Sequence, residues 1–406
     1  MEESRQYPYW RRNQLALSVA NFLSLLGWAI SWPFLPLMVR SLGVHEDLET
    51  WIGNMMLVFY IIGFVISPIW GSVADHFGRK PMVLRAMLGM GFFMVLLPFA
   101  PTPLWFAFLL MLVGVFNGIT PAGMSLLAAN TPPNRIGMAF SLVLTGSLVG
   151  QTFGPAVGAT LADLMPNLHG LFWVSGGLLL AGGVLVALFV GEVKKLAPGP
   201  WRPRWLGSLR ELLAVPRMGP LFLLSFVFAA SWSGNVPVVT IYMMQLVGAQ
   251  SAGLSEAAWV GAAAMGLAFA SVAVLPLWGK VIDTFGPGPV LVFATAASAV
   301  THVLLIVVQT PLELVMARVA YGLTAAAMQP AYMQLIGIHA PPGTGARAIA
   351  YATAFQFIGM GVAPFFAGLI GPALGLRAYF TVIVVLTLGS LALWLVTQRR
   401  GAAKRE

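Results

Sequence analysis

Gly71-Ser72-Val73-Ala74-Asp75-His76-Phe77-Gly78-Arg79-Lys80 returns 208 residues later as Gly279-Lys280-Val281-Ile282-Asp283-Thr284-Phe285-Gly286. The same offset carries Pro68 and Trp70 to Pro276 and Trp278, Thr102-Pro103-Leu104 to Thr310-Pro311-Leu312, and Gly114 to Gly322. One residue is then inserted, and Pro132-Pro133, Gly150 and Pro155 return as Pro341-Pro342, Gly359 and Pro364 at an offset of 209. Turn residues held at one spacing along the chain mark an internal repeat. The reading is two halves, residues 1–192 and 219–406, joined by the basic segment 193–218.

Each half is built for lipid. The chain has 406 residues, 59% hydrophobic and 9% charged, with mean hydropathy +0.86. Soluble domains carry roughly 25% charge, so a soluble enzyme, a disordered tail and a nucleic-acid binder are excluded despite the net charge of +9. With no cysteine and five histidines, no disulfide framework or metal cluster is expected, and no cofactor. Apolar runs long enough to span a bilayer fall near 14–41, 51–74, 82–100, 104–129, 137–163, 169–192, 219–247, 256–279, 289–309, 311–338, 346–371 and 376–397. They are numbered here as spans one to twelve. Lipid offers no partners to an open strand edge, and the runs are continuous rather than alternating, so they read as helices. The expected fold is an all-α membrane protein, twelve transmembrane helices in two parallel six-helix repeats. Parallel halves of this kind point to a transporter with its site between them.

Charge sets the orientation. Nineteen of the 22 Lys and Arg residues fall on the side of the N-terminus, Arg40 and Arg377 on the other, and Arg318 inside span ten. Both termini and residues 193–218 are therefore expected in the cytoplasm, and contact with anionic lipid accounts for the basic balance.

The loop after span two, from Gly71 through Asp75 and Gly78 to Arg79-Lys80, resembles the signature loop of the major facilitator superfamily in spacing and place. The resemblance implies a latch in which Asp75 pairs with cationic groups and a helix end of the other half. Enforcing topology is the plainer role for Arg79 and Lys80. Asp283, whose loop lacks the Arg-Lys pair, is expected to be a weaker latch or a structural turn. Gly150-Gln151-Thr152-Phe153-Gly154-Pro155-Ala156-Val157-Gly158 in span five resembles the antiporter motif of that superfamily, which marks exporters, with Ala159 where the family has Gly. Pro33-Phe34-Leu35-Pro36-Leu37 and the run from Leu84-Arg85 to Gly89-Met90-Gly91 add likeness to the twelve-span drug:proton antiporter branch. One departure stands out. The branch has an Arg in span four, linked to proton coupling, where this chain has Leu110; the repeat-related position carries Arg318. Arg318 is expected either to take over that coupling role or to act as a structural pin. No carboxylate lies deep in a span: Asp163, Glu256 and Glu313 are at outer ends, Asp75 and Asp283 at inner ends.

Polar residues in lipid are costly and mark pathways. Asn21, Ser24, Trp28 and Trp32 form one helical stripe in span one. Trp232, Asn235 and Tyr242 lie in span seven, Arg318, Tyr321, Met328 and Tyr332 in span ten, Asn117 in span four, Gln151 in span five and Gln356 in span eleven. The resemblance implies that spans one, four, seven and ten line a central cavity. Its aromatic and Met-rich, weakly charged wall suits amphipathic ligands. The competing reading is interfacial aromatics and interhelical pins, which is favoured for Trp10, Trp51, Trp105, Trp201 and Trp205 at span ends. His302, alone in span nine, reads as a hydrogen-bonded structural histidine.

No phosphate-binding loop and no nucleophile–base constellation is present, so ATP-driven transport and enzyme catalysis are not expected. The reading is a secondary transporter exporting amphipathic small molecules by alternating access, proton-coupled, monomeric, in a bacterial inner membrane. The alternatives are a sugar or metabolite exporter or facilitator of the same fold, and a membrane receptor or scaffold that transports nothing.

Overall fold

A computed structural model describes residues 7–132, 135–192, 205–249, 253–341 and 344–402. All regular structure among the described residues is helical. Eleven helical segments there are long and apolar enough to cross a membrane: Trp10–Ser41, Leu48–Ser67, Arg79–Phe99, Pro103–Ala129, Ile136–Leu164, His169–Phe189, Met218–Gly248, Glu256–Phe285, Pro287–Val307, Arg347–Leu374 and Leu376–Gln398. These are spans one to nine, eleven and twelve. Span ten is divided into Pro311–Ala325 and Met328–His339, each too short to cross alone. The chain is a multi-pass membrane protein.

The repeat is visible in how the helices begin. Thr102 and Thr310 cap spans four and ten, their hydroxyls accepting from Trp105 N–H at 3.3 Å and Glu313 N–H at 3.2 Å. Each threonine is followed by proline at the first helical position, where the missing N–H costs nothing. Gly78 and Gly286, at φ of +102° and +80°, make the turns that open spans three and nine.

The chain divides into two compact units, Met1–His45 with Ile61–Trp201 and Glu46–Tyr60 with Arg202–Glu406. In the first, span one packs between spans five and six. Small residues allow the approach. A Cβ at Gly150 would stand 2.8 Å from the Phe22 carbonyl, one at Gly154 would strike the Ala29 Cβ, and one at Gly158 the Ile30 carbonyl. On the other side, a Cβ at Gly27 would lie 2.7 Å from the Ser175 carbonyl.

In the second unit a core forms around Phe222, Tyr321, Tyr332, Leu291 and Trp394. Two features depart from the simple split of the sequence. The first part of span two, within Glu46–Tyr60, belongs with this unit: Thr50 donates to the Gly368 carbonyl at 2.9 Å, and Gln245 donates to the Glu49 carboxylate at 2.9 Å. Part of the linker is also structured. Helix Trp205–Leu213 places Leu212 in this core with Leu209 and Val215 against it. Lys194, Lys195, Arg202 and Arg204 of that linker lie outside the described residues.

Candidate functional site

Spans one, four, seven and ten share a defect that the other eight lack at mid-length. Span one turns through a 3-10 segment at Trp32–Phe34, span four breaks at Asn117-Gly118, span seven passes through a π-turn at Ala230–Gly234, and span ten breaks at Ala326-Ala327. Each has a proline four residues beyond: Pro36 after Trp32, Pro121 after Asn117, Pro237 after Ser233 and Pro330 after Ala326. Proline withholds the N–H that the carbonyl four positions back requires, and its ring crowds that carbonyl. Pro155, Pro276 and Pro364 sit inside helices that run on, so proline loosens the helix and the neighbours decide whether it opens.

The neighbours at the two breaks are repeat-related. The indole N–H of Trp70 donates to the Val115 carbonyl at 2.8 Å, and that of Trp278 to the Leu323 carbonyl at 2.8 Å. In the first unit Arg85 completes the site. Its guanidinium lies 4.0 Å over the Trp70 ring and donates to the carbonyls of Val115 at 3.4 Å and Asn117 at 3.3 Å. The Asn117 carbonyl is the one that Pro121 leaves without its helical donor. Asn117 itself turns its amide oxygen to the Gly118 N–H, 2.7 Å away, and Gly118 takes φ +124°. In the second unit the position of Arg85 holds Phe293, whose ring packs 5.9 Å from that of Trp278.

The interior of the second unit carries a polar chain that crosses three spans. Tyr379 donates to the Asn235 side-chain oxygen at 2.5 Å, Asn235 donates to His302 Nε2 at 3.3 Å, and His302 Nδ1 donates to the Ser298 carbonyl at 3.0 Å. A donor on one ring nitrogen and an acceptor on the other define a neutral imidazole. The His302 ring meets Tyr321 edge-on at 4.4 Å, and Arg318, 1% exposed, lies 5.8 Å from the Tyr321 ring. Trp232 stacks on Phe228 at 5.5 Å and tilts against Tyr321 at 5.9 Å, forming an aromatic wall beside the π-turn. Gln356 donates to the Tyr332 hydroxyl.

The family profile of the Major Facilitator Superfamily matches residues 17–271 and 221–406. The chain belongs to the Major Facilitator Superfamily. Multidrug resistance protein MdtG of Serratia proteamaculans is 30% identical over 405 residues, 98% of this chain and 96% of that one. MdtG of Salmonella arizonae is 30% identical over 402 residues, 97% of each. The fold is similar to that of the nucleoside transporter NupG, with TM-score 0.78 at 14% identity over 95% of this chain and 98% of that one. It is also similar to a bacterial homologue of the human lysosomal transporter Spinster, with TM-score 0.74 at 17% identity over 97% of each.

The superfamily loop is held in a way the sequence alone does not suggest. A helix N-terminus leaves N–H groups without intrahelical partners and favours negative charge. At the start of span three that charge is Glu192, which accepts from the N–H groups of Arg79 at 2.7 Å and Lys80 at 3.0 Å. The carboxylate sits over Gly78, where a Cβ would come within 2.9 Å of it. The Arg79 guanidinium donates to the Ser125 carbonyl at 2.9 Å, and the Lys80 ammonium to the Ala187 carbonyl at 2.8 Å. Gly71 and Asp75 fall on the helix of span two, but the Asp75 side chain lies outside the described residues; Asp283 is exposed at the end of span eight.

The remaining candidate positions fall in different settings. In span one the Trp28 and Trp32 rings stack at 4.2 Å, while Asn21 and Ser24 are fully buried and their polar atoms find no hydrogen-bond partner among the described residues. Gln151 is exposed and bonds along its own helix to the Ser147 carbonyl at 3.4 Å. Tyr242 takes no part in the hydrogen bonds of Asn235's cluster: its hydroxyl donates to the Val308 carbonyl at 3.1 Å and accepts from Arg377 at 3.2 Å. Glu192 is a residue the sequence reading did not name, and Arg85 is one it named only as a cytoplasmic charge and in the branch resemblance, with no site role. Arg85 sits six residues inside span three, beyond the turn where a topology-setting charge would stop.

Proposed function

We propose that this chain is a secondary transporter that exports amphipathic small molecules by alternating access, working as a monomer in a bacterial inner membrane with both termini in the cytoplasm. The observation that carries the reading is the set of four interrupted spans with the side chains around them. Discontinuous helices mark substrate sites in transporters because they expose backbone groups where regular helix would hide them. Here the interruptions are bordered by Trp28, Trp32, Trp232, Tyr321, Tyr332 and Asn235. Stacking and dispersion adapt to ligands of varied shape where ion pairs do not. Full-length similarity to proteins named for multidrug resistance supports export over a metabolite facilitator.

Protons are the proposed driving ion, since the antiporter motif of span five belongs to drug:proton exporters. Asp75 is proposed as the latch residue and Glu192 as the anchor of its loop. The test is dye accumulation in cells expressing the chain or an Asp75→Asn variant at matched levels. Expression of the parent lowers accumulation of lipophilic dyes, and Asp75→Asn restores it. Equal accumulation in parent and vector cells overturns the reading.

A further inference from the structure

We propose that Arg318 is an anion-binding subsite that takes the negatively charged head of an amphipathic substrate; the proposal rests on the export reading above and narrows its substrate class. Arg318 is buried to 1% exposure, and its Nε and one Nη find no hydrogen-bond acceptor among the described residues. A guanidinium carries five donors and stays charged, so burying it without acceptors is expensive. Three polar side chains of the same unit, Asn235, Tyr379 and His302, are already committed to one another or to backbone. Asn235 gives its oxygen to Tyr379 and its amide to His302, whose other nitrogen is spent on the Ser298 carbonyl. The Tyr321 ring lies 5.8 Å from the guanidinium, and its buried hydroxyl likewise finds no hydrogen-bond partner among the described residues. The acidic residues of spans eight and ten sit toward helix ends: Glu256 and Glu313 open their helices and Asp283 is near the far end of its own.

Arg318 instead lines a small cavity of about 10 Å³ with Val236, Val239, Thr240 and Met243 of span seven and Val260 and Ala263 of span eight. That is room for one water-sized group. The walls are apolar apart from the guanidinium and one hydroxyl, a setting in which charge-assisted bonds are strong because little competes with them. A carboxylate seats one oxygen in that space against the guanidinium, and the apolar side chains of spans seven and eight around it receive the start of its tail. The first unit shows the contrast. Its repeat-related residue is Leu110, buried and apolar, and its own deep cation, Arg85, is given carbonyls and an indole face by the protein, with its Nε left without an acceptor among the described residues.

The purified full-length chain in nanodiscs is titrated with dansylaminoundecanoate and with its methyl ester, in chloride and in gluconate buffer. The wild type is expected to bind the carboxylate about tenfold tighter than the ester, the scale of one charge-assisted pair. Arg318→Gln removes that preference with the ester unchanged, and Arg318→Lys restores part of it. Weaker carboxylate binding in chloride, with the ester unaffected, supports the subsite and shows that free anions share it. Equal binding of acid and ester by the wild type overturns the proposal. So does an Arg318→Gln variant that weakens both probes equally, since that is the mark of a structural residue. If that variant does not fold, the wild-type acid-to-ester ratio alone decides. Export is read separately in proteoliposomes: a wild type that prefers the acid yet moves neither probe contradicts the export reading and leaves the subsite standing.

Discussion

Trp70 and Trp278 stand 208 residues apart and make the same bond, each indole N–H donating at 2.8 Å to a carbonyl 45 positions further on. The acceptors, Val115 and Leu323, precede the interruptions of spans four and ten by two or three residues. A broken helix leaves carbonyls unmatched, and in lipid each unmatched group costs heavily. The two tryptophans hold the span-two and span-eight helices to the loosened segments and keep the ends of the breaks in place.

Replacing either tryptophan by Phe keeps the ring and removes the donor. Each change is expected to lower stability by about 0.5–1.5 kcal/mol, the net worth of one hydrogen bond. The double variant should show the sum, because the sites lie in separate units and share no partner. Thermal melting of purified protein in detergent measures all three.

Arg85 serves two carbonyls and an indole face at once. Arg85→Lys keeps the charge but cannot reproduce the planar fork, and Arg85→Leu strips the Asn117 carbonyl of its donor. Losses of about 1 kcal/mol for Lys and about 2–3 kcal/mol for Leu are expected, the latter the cost of an unsatisfied buried group. Equal stability of all three proteins would show that Asn117 finds another donor.

The four prolines give a prediction of opposite sign. Pro121→Ala and Pro330→Ala restore the N–H groups that the Asn117 and Ala326 carbonyls lack. An interior proline costs a helix about 3 kcal/mol, so a gain in melting temperature is expected as the spans become continuous. Transport should fall at the same time, because a straight, stiff span loses the exposed backbone of the site. A variant that is both more stable and fully active would separate the breaks from function.

Glu192 is set against two N–H groups at the start of span three. Glu192→Ala is expected to cost about 0.5–2 kcal/mol, as for loss of an N-terminal cap. Glu192→Gln, which keeps one acceptor but loses the charge favoured there, should cost less. The measurement is denaturation of the two variants beside the parent.

Much of this architecture is written in the chain. Thr102-Pro103 and Thr310-Pro311 announce the starts of spans four and ten, and Gly78 and Gly286 the turns that the structure shows at positive φ. The span-four break is also legible, with Asn117-Gly118 followed by Pro121. The span-ten break is harder to read. Ala325-Ala326-Ala327 is the best helix-forming composition there is, and only Pro330, acting four residues back, betrays the opening. The partners of these groups were out of reach. Arg85 looks like a topology charge until span four is placed beside it, and Glu192 looks like a loop residue until Gly78 turns under it. Likewise Asn235 reads as a pathway residue in span seven by its depth alone, and only the placement of His302 and Tyr379 reveals its bonds.

Active export of amphipathic molecules is the claim on which the rest depends, and proteoliposomes test it most directly. Purified protein is reconstituted with a lipophilic fluorescent substrate on one side, and its movement is followed with and without an imposed pH gradient. Movement against the substrate's own gradient is expected, collapsing when the pH gradient is dissipated and largely lost in Asp75→Asn. Uptake equal to that of protein-free vesicles, gradient or none, would contradict it.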